Sequence, residues 1–196
     1  MPVLTSEKIL LNVGCGPHQG AGAHIPPEFV GPQWREIRID VEASVEPDIC
    51  VSMTDLKEIE DEFADAVWAK GCIEHLYPHE VGIVFSEFHR VLARGGIVAM
   101  TTPDLERVCD LIPSLGLGRM VYESTGGPVA PVDMIFGHRA AMARGERHMA
   151  HHTGFTRSSL RRHLIEAGFT EVEVYAKDVT IRPARLVYNL LAVGRK

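Results

Sequence analysis

Apolar residues in the first half of the chain fall in short runs, each about the length of a strand and bounded by turn-forming or helical stretches. Runs at Ile9–Val13, Glu36–Asp40, Asp48–Val51, Ala64–Ala69 and Gly96–Thr101 predict strands. Before the last of these, Val81, Val84, Phe85, Phe88 and Leu92 share one face at the helical period. They predict a helix that begins near Pro78 and is ended by Gly95-Gly96. A second helix is expected from about Thr156 to Ala167, with Thr156 as its N-cap and Gly168 just past its end. Two further strands, Glu171–Ala176 and Leu186–Val193, follow. Strands alternating with helices argue for an α/β fold around a parallel sheet.

Two segments interrupt this rhythm. Residues 17–33 hold Gly20, Gly22 and Gly31 together with Pro17, Pro26, Pro27 and Pro32, a content that argues against a long helix directly after the first strand. Residues 104–155, between the fifth and sixth strands, mix short helical patterns with Gly126-Gly127-Pro128 and Pro131. That stretch is too long for a simple crossover and reads as a cap inserted over a site, within a single domain spanning 1–196.

Composition narrows the classes of partner. Twenty basic against 26 acidic residues give a net charge of −6, and no basic tract marks a nucleic-acid surface. Arg157, Arg161 and Arg162 cluster on what reads as a solvated helix face. No apolar run reaches the roughly 18 residues of a membrane span. The first residues lack the charged and apolar regions of a signal peptide, so the chain is expected to be cytoplasmic. Cys15, Cys50, Cys72 and Cys109 form no Cys-x-x-Cys pair and read as small buried hydrophobes rather than disulfides.

The candidate chemistry starts at Leu11-Asn12-Val13-Gly14-Cys15-Gly16, an apolar strand ending in Gly-x-Gly, with Asp40 at the end of the next strand. A glycine turn there lets a ligand approach the backbone, and an acid one unit later can hold ribose hydroxyls. The plain alternatives are a tight turn and a solvated strand end. For proton transfer the candidates are His75, His151 and His152, since imidazole titrates near neutrality. His148, His151 and His152 also invite a metal reading, with His138 ten residues before. No cysteine, and no carboxylate nearer in sequence than Glu146, completes their set, so no metal is expected.

The whole order of motifs resembles the class I S-adenosylmethionine-dependent methyltransferases, and within them small members with a Leu-Asn-x-Gly-Cys-Gly first motif. After that motif and Asp40 come Met53-Thr54-Asp55-Leu56, Phe63-Ala64-Asp65-Ala66-Val67 and Ile73-Glu74-His75-Leu76. Phe88-His89-Arg90-Val91-Leu92-Ala93-Arg94-Gly95-Gly96, Thr102-Pro103-Asp104-Leu105 and Leu164-Ile165-Glu166-Ala167-Gly168-Phe169 complete it. The resemblance implies a Rossmann-like, seven-stranded, mostly parallel sheet with one antiparallel strand and helices on both faces. It implies S-adenosyl-L-methionine across the carboxyl ends of the first strands, beside Gly14, Cys15 and Gly16. Asp40 would take the ribose, Asp55 the adenine amino group, and Met53 or Leu56 the ring face. Glu74 and His75 would lie near the transferred methyl, with His75 the preferred proton acceptor. Asp55 could instead cap a Leu56–Phe63 helix, and His75 could be structural. The expected activity is methylation of an unidentified small-molecule acceptor. The rival is a non-catalytic methyltransferase-like module that binds a ligand or partner. A nicotinamide-dependent oxidoreductase fits less well, because the third glycine falls at Gly20, with Gln19 in the dinucleotide position, and no helix is expected to receive a pyrophosphate.

Overall fold

The computed structural model describes residues 7–18, 25–124, 126–181 and 184–196; at 177–181 and 184–188 the description extends to the backbone only. Its strands are β1 (Lys8–Val13), β2 (Trp34–Asp40), β3 (Ile49–Cys50), β4 (Ala64–Lys70), β5 (Leu92–Pro103), β6 (Tyr122–Ser124), β7 (Gly127–Val129), β8 (Thr170–Ile181) and β9 (Ala184–Arg195). Its helices are α1 (Val81–Val91), α2 (Leu105–Leu115), α3 (Pro131–Phe136), α4 (Arg139–Ala143) and α5 (Arg157–Glu166). Seven strands form one sheet in the order β3-β2-β1-β4-β5-β9-β8, and β6 and β7 make a separate hairpin. β3 through β5 pair in parallel, while β9 runs antiparallel to both β5 and β8. This is the Rossmann-like sheet expected, with one reversed strand.

The central strands are apolar on both sides because both faces of a parallel sheet are covered. Leu11, Val13, Val67 and Ala69 pack on one face with Val84, Phe85 and Phe88 of α1 and with Leu160 and Leu164 of α5. Leu10, Ala66, Trp68 and Ala99 point to the other. There, Phe29 of a single 3-10 turn (Pro27–Phe29) covers them, with Trp34 edge-on to it at 5.3 Å and bonded through Nε1 to the Glu28 carbonyl. The proline-rich stretch thus supplies an aromatic cover in the position where the sequence predicts no long helix. Gln19, Gly20 and Gly22 lie outside the described residues.

Several boundaries differ from those expected, and β8 and β9 run longer, over Thr170–Ile181 and Ala184–Arg195. α1 begins at Val81 rather than near Pro78, because Tyr77–Glu80 forms its own turn, with the Glu80 carboxylate accepting the Tyr77 N–H. The helix ends at Val91, not at the glycines. β5 starts at once with Leu92, and residues 93–96 bulge where its register to β4 slips from Ala64–Leu92 to Ala66–Ile97. No helix forms over 56–63. The Leu56 and Ile59 carbonyls bond Nη2 and Nη1 of Arg90, each at 2.9 Å, while the Leu56 N–H donates to Glu87. Arg90's planar fork thus satisfies outside the segment what a helix would satisfy within it. The α5 cap is as read: Thr156 and Ser159 exchange side-chain and backbone bonds across the first turn. No helix among the described residues is long and apolar enough to cross a membrane.

Residues 104–155 leave the end of β5 and return beside it, with Asp104 bridged to Phe155. They carry α2, the β6–β7 hairpin, α3 and α4 around a small core of Val108, Val129 and Met134.

Arg90→Ala should lower unfolding free energy by about 1.5–3 kcal/mol, the scale for hydrogen bonds to a charged group, measurable by urea denaturation. The Arg90 hydrogen bond holds the Glu87 carboxyl below its usual value of 4.5. A depressed acid stabilises the fold above its unfolded pKa and loses that contribution as pH falls through the folded one. The melting-temperature gap between the parent and Glu87→Gln should therefore be constant near neutrality and close in acid.

Candidate active site

β2 shapes the site. Side chains alternate along a strand, so Ile37 and Ile39 enter the core while Arg38 and Asp40 reach the turn after β1. Arg38 is buried, and its guanidinium is spent on the loops around it. Nη2 donates to the carbonyls of Gly16 and Val45; Nη1 meets the Glu46 carbonyl and His18 Nε2, both at 2.7 Å. The Asp40 carboxylate accepts the Gly16 N–H at 2.9 Å on one oxygen and the Glu42 N–H at 3.0 Å on the other. The Gly14 and Cys15 N–H groups both donate to the Ile39 carbonyl. Gly14 and Gly16 take φ values of 64° and 60°, a region that L side chains enter at a cost. A Cβ on Gly14 would stand 2.5 Å from Cys72 Cβ, whereas at Gly16 nothing lies within 4 Å.

A cleft of about 1020 Å³ opens at the carboxyl ends of β1, β2, β4 and β5. Strand order reverses there between β1 and β4, the place where open α/β sheets bind ligands. Gly14, Gly16, Asp40 and Met53 line it from the β1–β2 side, and Glu74, His75 and Thr102 from β4 and β5. Tyr122, Met134, His138, His151 and His152 reach it from the 104–155 segment. The hinge between the two sides is the 3-10 turn Ile73–His75. The Glu74 carbonyl accepts the N–H groups of both His152 and Thr153, and Tyr77 stacks on His152 with centroids 4.1 Å apart.

The Glu74 carboxyl is buried, and one oxygen accepts the Thr102 hydroxyl at 3.0 Å; burial raises its pKa. His75 Nδ1 lies 2.9 Å from the Ala150 carbonyl and His151 Nδ1 lies 3.0 Å from the Met134 carbonyl. Carbonyls only accept, so each Nδ1 carries a proton, and in the neutral ring Nε2 keeps the lone pair. The rings meet edge to face at 4.9 Å. Burial, then the neighbouring His75, pushes the His151 pKa down to about 4. A carboxylate oxygen of Glu74 and one ring nitrogen from each histidine all lie within 4.8 Å of one another. Of the three histidines at 148, 151 and 152, the fold groups His151 with two residues more than 70 positions earlier.

Gly14, Gly16, Asp40, Met53, Glu74 and His75 all line the cleft, while Cys15, Asp55 and Leu56 do not. Cys15 is buried, which raises its thiol pKa to about 11. Asp55 turns outward to Lys57 at 2.6 Å, and that hydrogen bond lowers its pKa. Leu56 is fully buried in the core, because the Arg90-held turn folds it under α1. Thr54 and Ser52 take cleft positions in their place. In the cap, Met120 and Phe136 are exposed, Arg139 is bound to the buried Asp133 and Arg144 to Glu146; none of the four lines the cleft. Arg38 and Thr102 were not anticipated. The only signal for Arg38 is its place two residues before Asp40, on the same strand face.

Residues 11–100 match the family described as a methyltransferase domain. The sheet and its helices have the fold of the S-adenosylmethionine-dependent methyltransferases. Solved structures share the methyltransferase fold at low identity. A 1,6-didemethyltoxoflavin-N1-methyltransferase from Burkholderia thailandensis, with its acceptor and S-adenosylhomocysteine bound, is 18% identical with a TM-score of 0.58, over 98% of this chain and 72% of that one. A SAM-dependent methyltransferase from Archaeoglobus fulgidus is 13% identical with a TM-score of 0.62, over 100% and 89%. One from Methanosarcina mazei is 16% identical with a TM-score of 0.59, over 100% and 97%. No curated protein matches the chain in sequence.

Gly14→Ala should destabilise this methyltransferase domain more than Gly16→Ala. Both incur the roughly 1–2 kcal/mol cost of a left-handed side chain, but only at Gly14 must Cys72 also move. Equal losses in thermal unfolding would show that the contact with Cys72 is relieved freely.

Proposed function

We propose that the chain is an active methyltransferase that uses S-adenosylmethionine and methylates a small-molecule acceptor held between the glycine turn and the 104–155 segment. The observation that carries this reading is the pairing of the Gly14–Gly16 turn with the Asp40 carboxylate on one cleft at the sheet's switch point. The residues present suit the cofactor. Gly16 leaves its backbone approachable, Asp40 keeps lone pairs beyond its two backbone bonds, and Met53 offers apolar surface in the same cleft. When bound, S-adenosylmethionine supplies a methyl already activated on a sulfonium. The protein then has to hold the acceptor in line and keep out water. Asp40 would bind the ribose hydroxyls, and Tyr122 and Met134 would bound the acceptor side. Crystallised relatives support the reading: one holds S-adenosylhomocysteine together with a small-molecule acceptor. His75 faces that same cleft with Nδ1 held by the Ala150 carbonyl and Nε2 left for the ligand side. A lone pair there can take a proton from an acceptor or hold a cation, and its neighbours bear on which.

Calorimetric titration with S-adenosylhomocysteine tests the cofactor half. Asp40→Ala should weaken binding by about 1.5–3 kcal/mol, as for charge-assisted hydrogen bonds. Unchanged affinity would remove Asp40 from the site, and no binding by the parent would favour the non-catalytic module. The acceptor half is read by turnover against an acceptor panel. Tyr122→Ala should alter turnover while leaving cofactor affinity within about twofold, since it touches only the second substrate. Phe136→Ala, outside the cleft, should change neither. Cofactor affinity falling in step with turnover in Tyr122→Ala would make the cap part of the cofactor site.

A further inference from the structure

We infer that Glu74, His75 and His151 form a binding site for one divalent first-row transition-metal ion in the cleft. The three donors lie within 4.8 Å of one another. Ligands about 2.1 Å from a shared ion stand roughly 3–3.5 Å apart, so side-chain shifts on the order of 1 Å bring them into a coordination shell. Two imidazoles and a carboxylate are a known donor set for ions that keep open positions for water or substrate.

What sets this cluster apart from a chance meeting of polar side chains is how each donor is held from behind. Histidines that bind metals give their other ring N–H to a carbonyl or carboxylate, which fixes the tautomer and aims the free nitrogen. Both histidines here do so: Nδ1 of His75 on the Ala150 carbonyl and Nδ1 of His151 on the Met134 carbonyl. The third donor is held in the same way, since the Thr102 hydroxyl occupies one Glu74 oxygen and leaves the other for an ion. The backbone adds to this, with His152 and Thr153 bonded to the Glu74 carbonyl, so the segment bearing His151 is docked beside Glu74 and His75. The Glu74 carboxyl is buried, and a cation bound beside it would offset the cost of its charge. The nitrogen donors select against magnesium and calcium, which prefer all-oxygen shells.

The site does not depend on methyl transfer, and the protein alone tests it. Tag-free protein stripped with a chelator and dialysed is titrated with cobalt(II) and zinc(II), following cobalt absorption and calorimetric heat. One ion per chain is expected, with a visible cobalt spectrum and no competition from millimolar magnesium. Affinity should fall at least tenfold in His75→Ala, His151→Ala and Glu74→Gln, and stay within about twofold in His148→Ala. Circular dichroism and S-adenosylhomocysteine titration on the same samples keep the two readings separate: cofactor binding without metal binding overturns the metal site and leaves the proposed function standing. Folded variants that bind cobalt as tightly as the parent would also overturn it. In the absence of metal binding, a pH–rate profile that loses its acid limb in His75→Gln would assign His75 to proton transfer.

Discussion

A buried arginine holds this site open. Taking a guanidinium out of water is unfavourable unless its donors are met, and Arg38 meets them with the carbonyls of Gly16, Val45 and Glu46 and the ring of His18. Each of those partners belongs to a loop bordering the cleft. In many open α/β sheets the turn after the first strand runs straight into a helix, whose first turn braces the ligand-binding backbone. In this chain no helix follows β1 among the described residues, and the Arg38–Asp40 pair on one face of β2 provides the bracing. The positive-φ glycines can then expose their backbone without collapsing onto the sheet.

The other half of the cleft depends on the short turn Ile73–His75. Its middle residue faces two ways. The Glu74 carbonyl receives the returning chain at His152 and Thr153, while its carboxylate sits under Thr102 at the end of β5. This joins the sheet to the 104–155 segment at one point, directly beside the imidazoles of His75 and His151. The segment keeps its own small core and its own ion pair, the buried Asp133 with the exposed Arg139 at 2.7 Å. It can therefore vary in what it presents to an acceptor while the cofactor side stays braced by β2. Under the proposed function, side chains that would touch an acceptor need not touch the residues that would hold S-adenosylmethionine.

Unlike α2 and the β6–β7 hairpin, the seven strands of the main sheet, helices α1 and α5 and the glycine–acid pairing were legible in the chain itself. Their causes are local. Apolar periodicity marks the buried face of α1, Thr156 and Gly168 mark the ends of α5, and the run ending in Gly14-Cys15-Gly16 marks a strand that stops at a turn. Element ends were less legible where a distant side chain intervened. The stretch after Asp55 has the composition of a helix start, yet Arg90, some thirty residues away, takes its carbonyls and holds it as turns.

What the sequence determined alone is therefore whatever follows from spacing: strand, turn, helix, and the fold that their order builds. What only the tertiary structure decided is which polar groups share one volume. Asp55 stood in the expected place and turned outward to Lys57, because the turn that carries it is oriented by a bond from α1. His148 has ligand-like spacing to both His151 and His152, but only His151 is brought to Glu74 and His75, because the Glu74 carbonyl docks the chain in that register. Charge and hydrogen bonding act over a few ångströms in space, and the distance between two side chains across a sheet and its cap is not encoded in their separation along the chain.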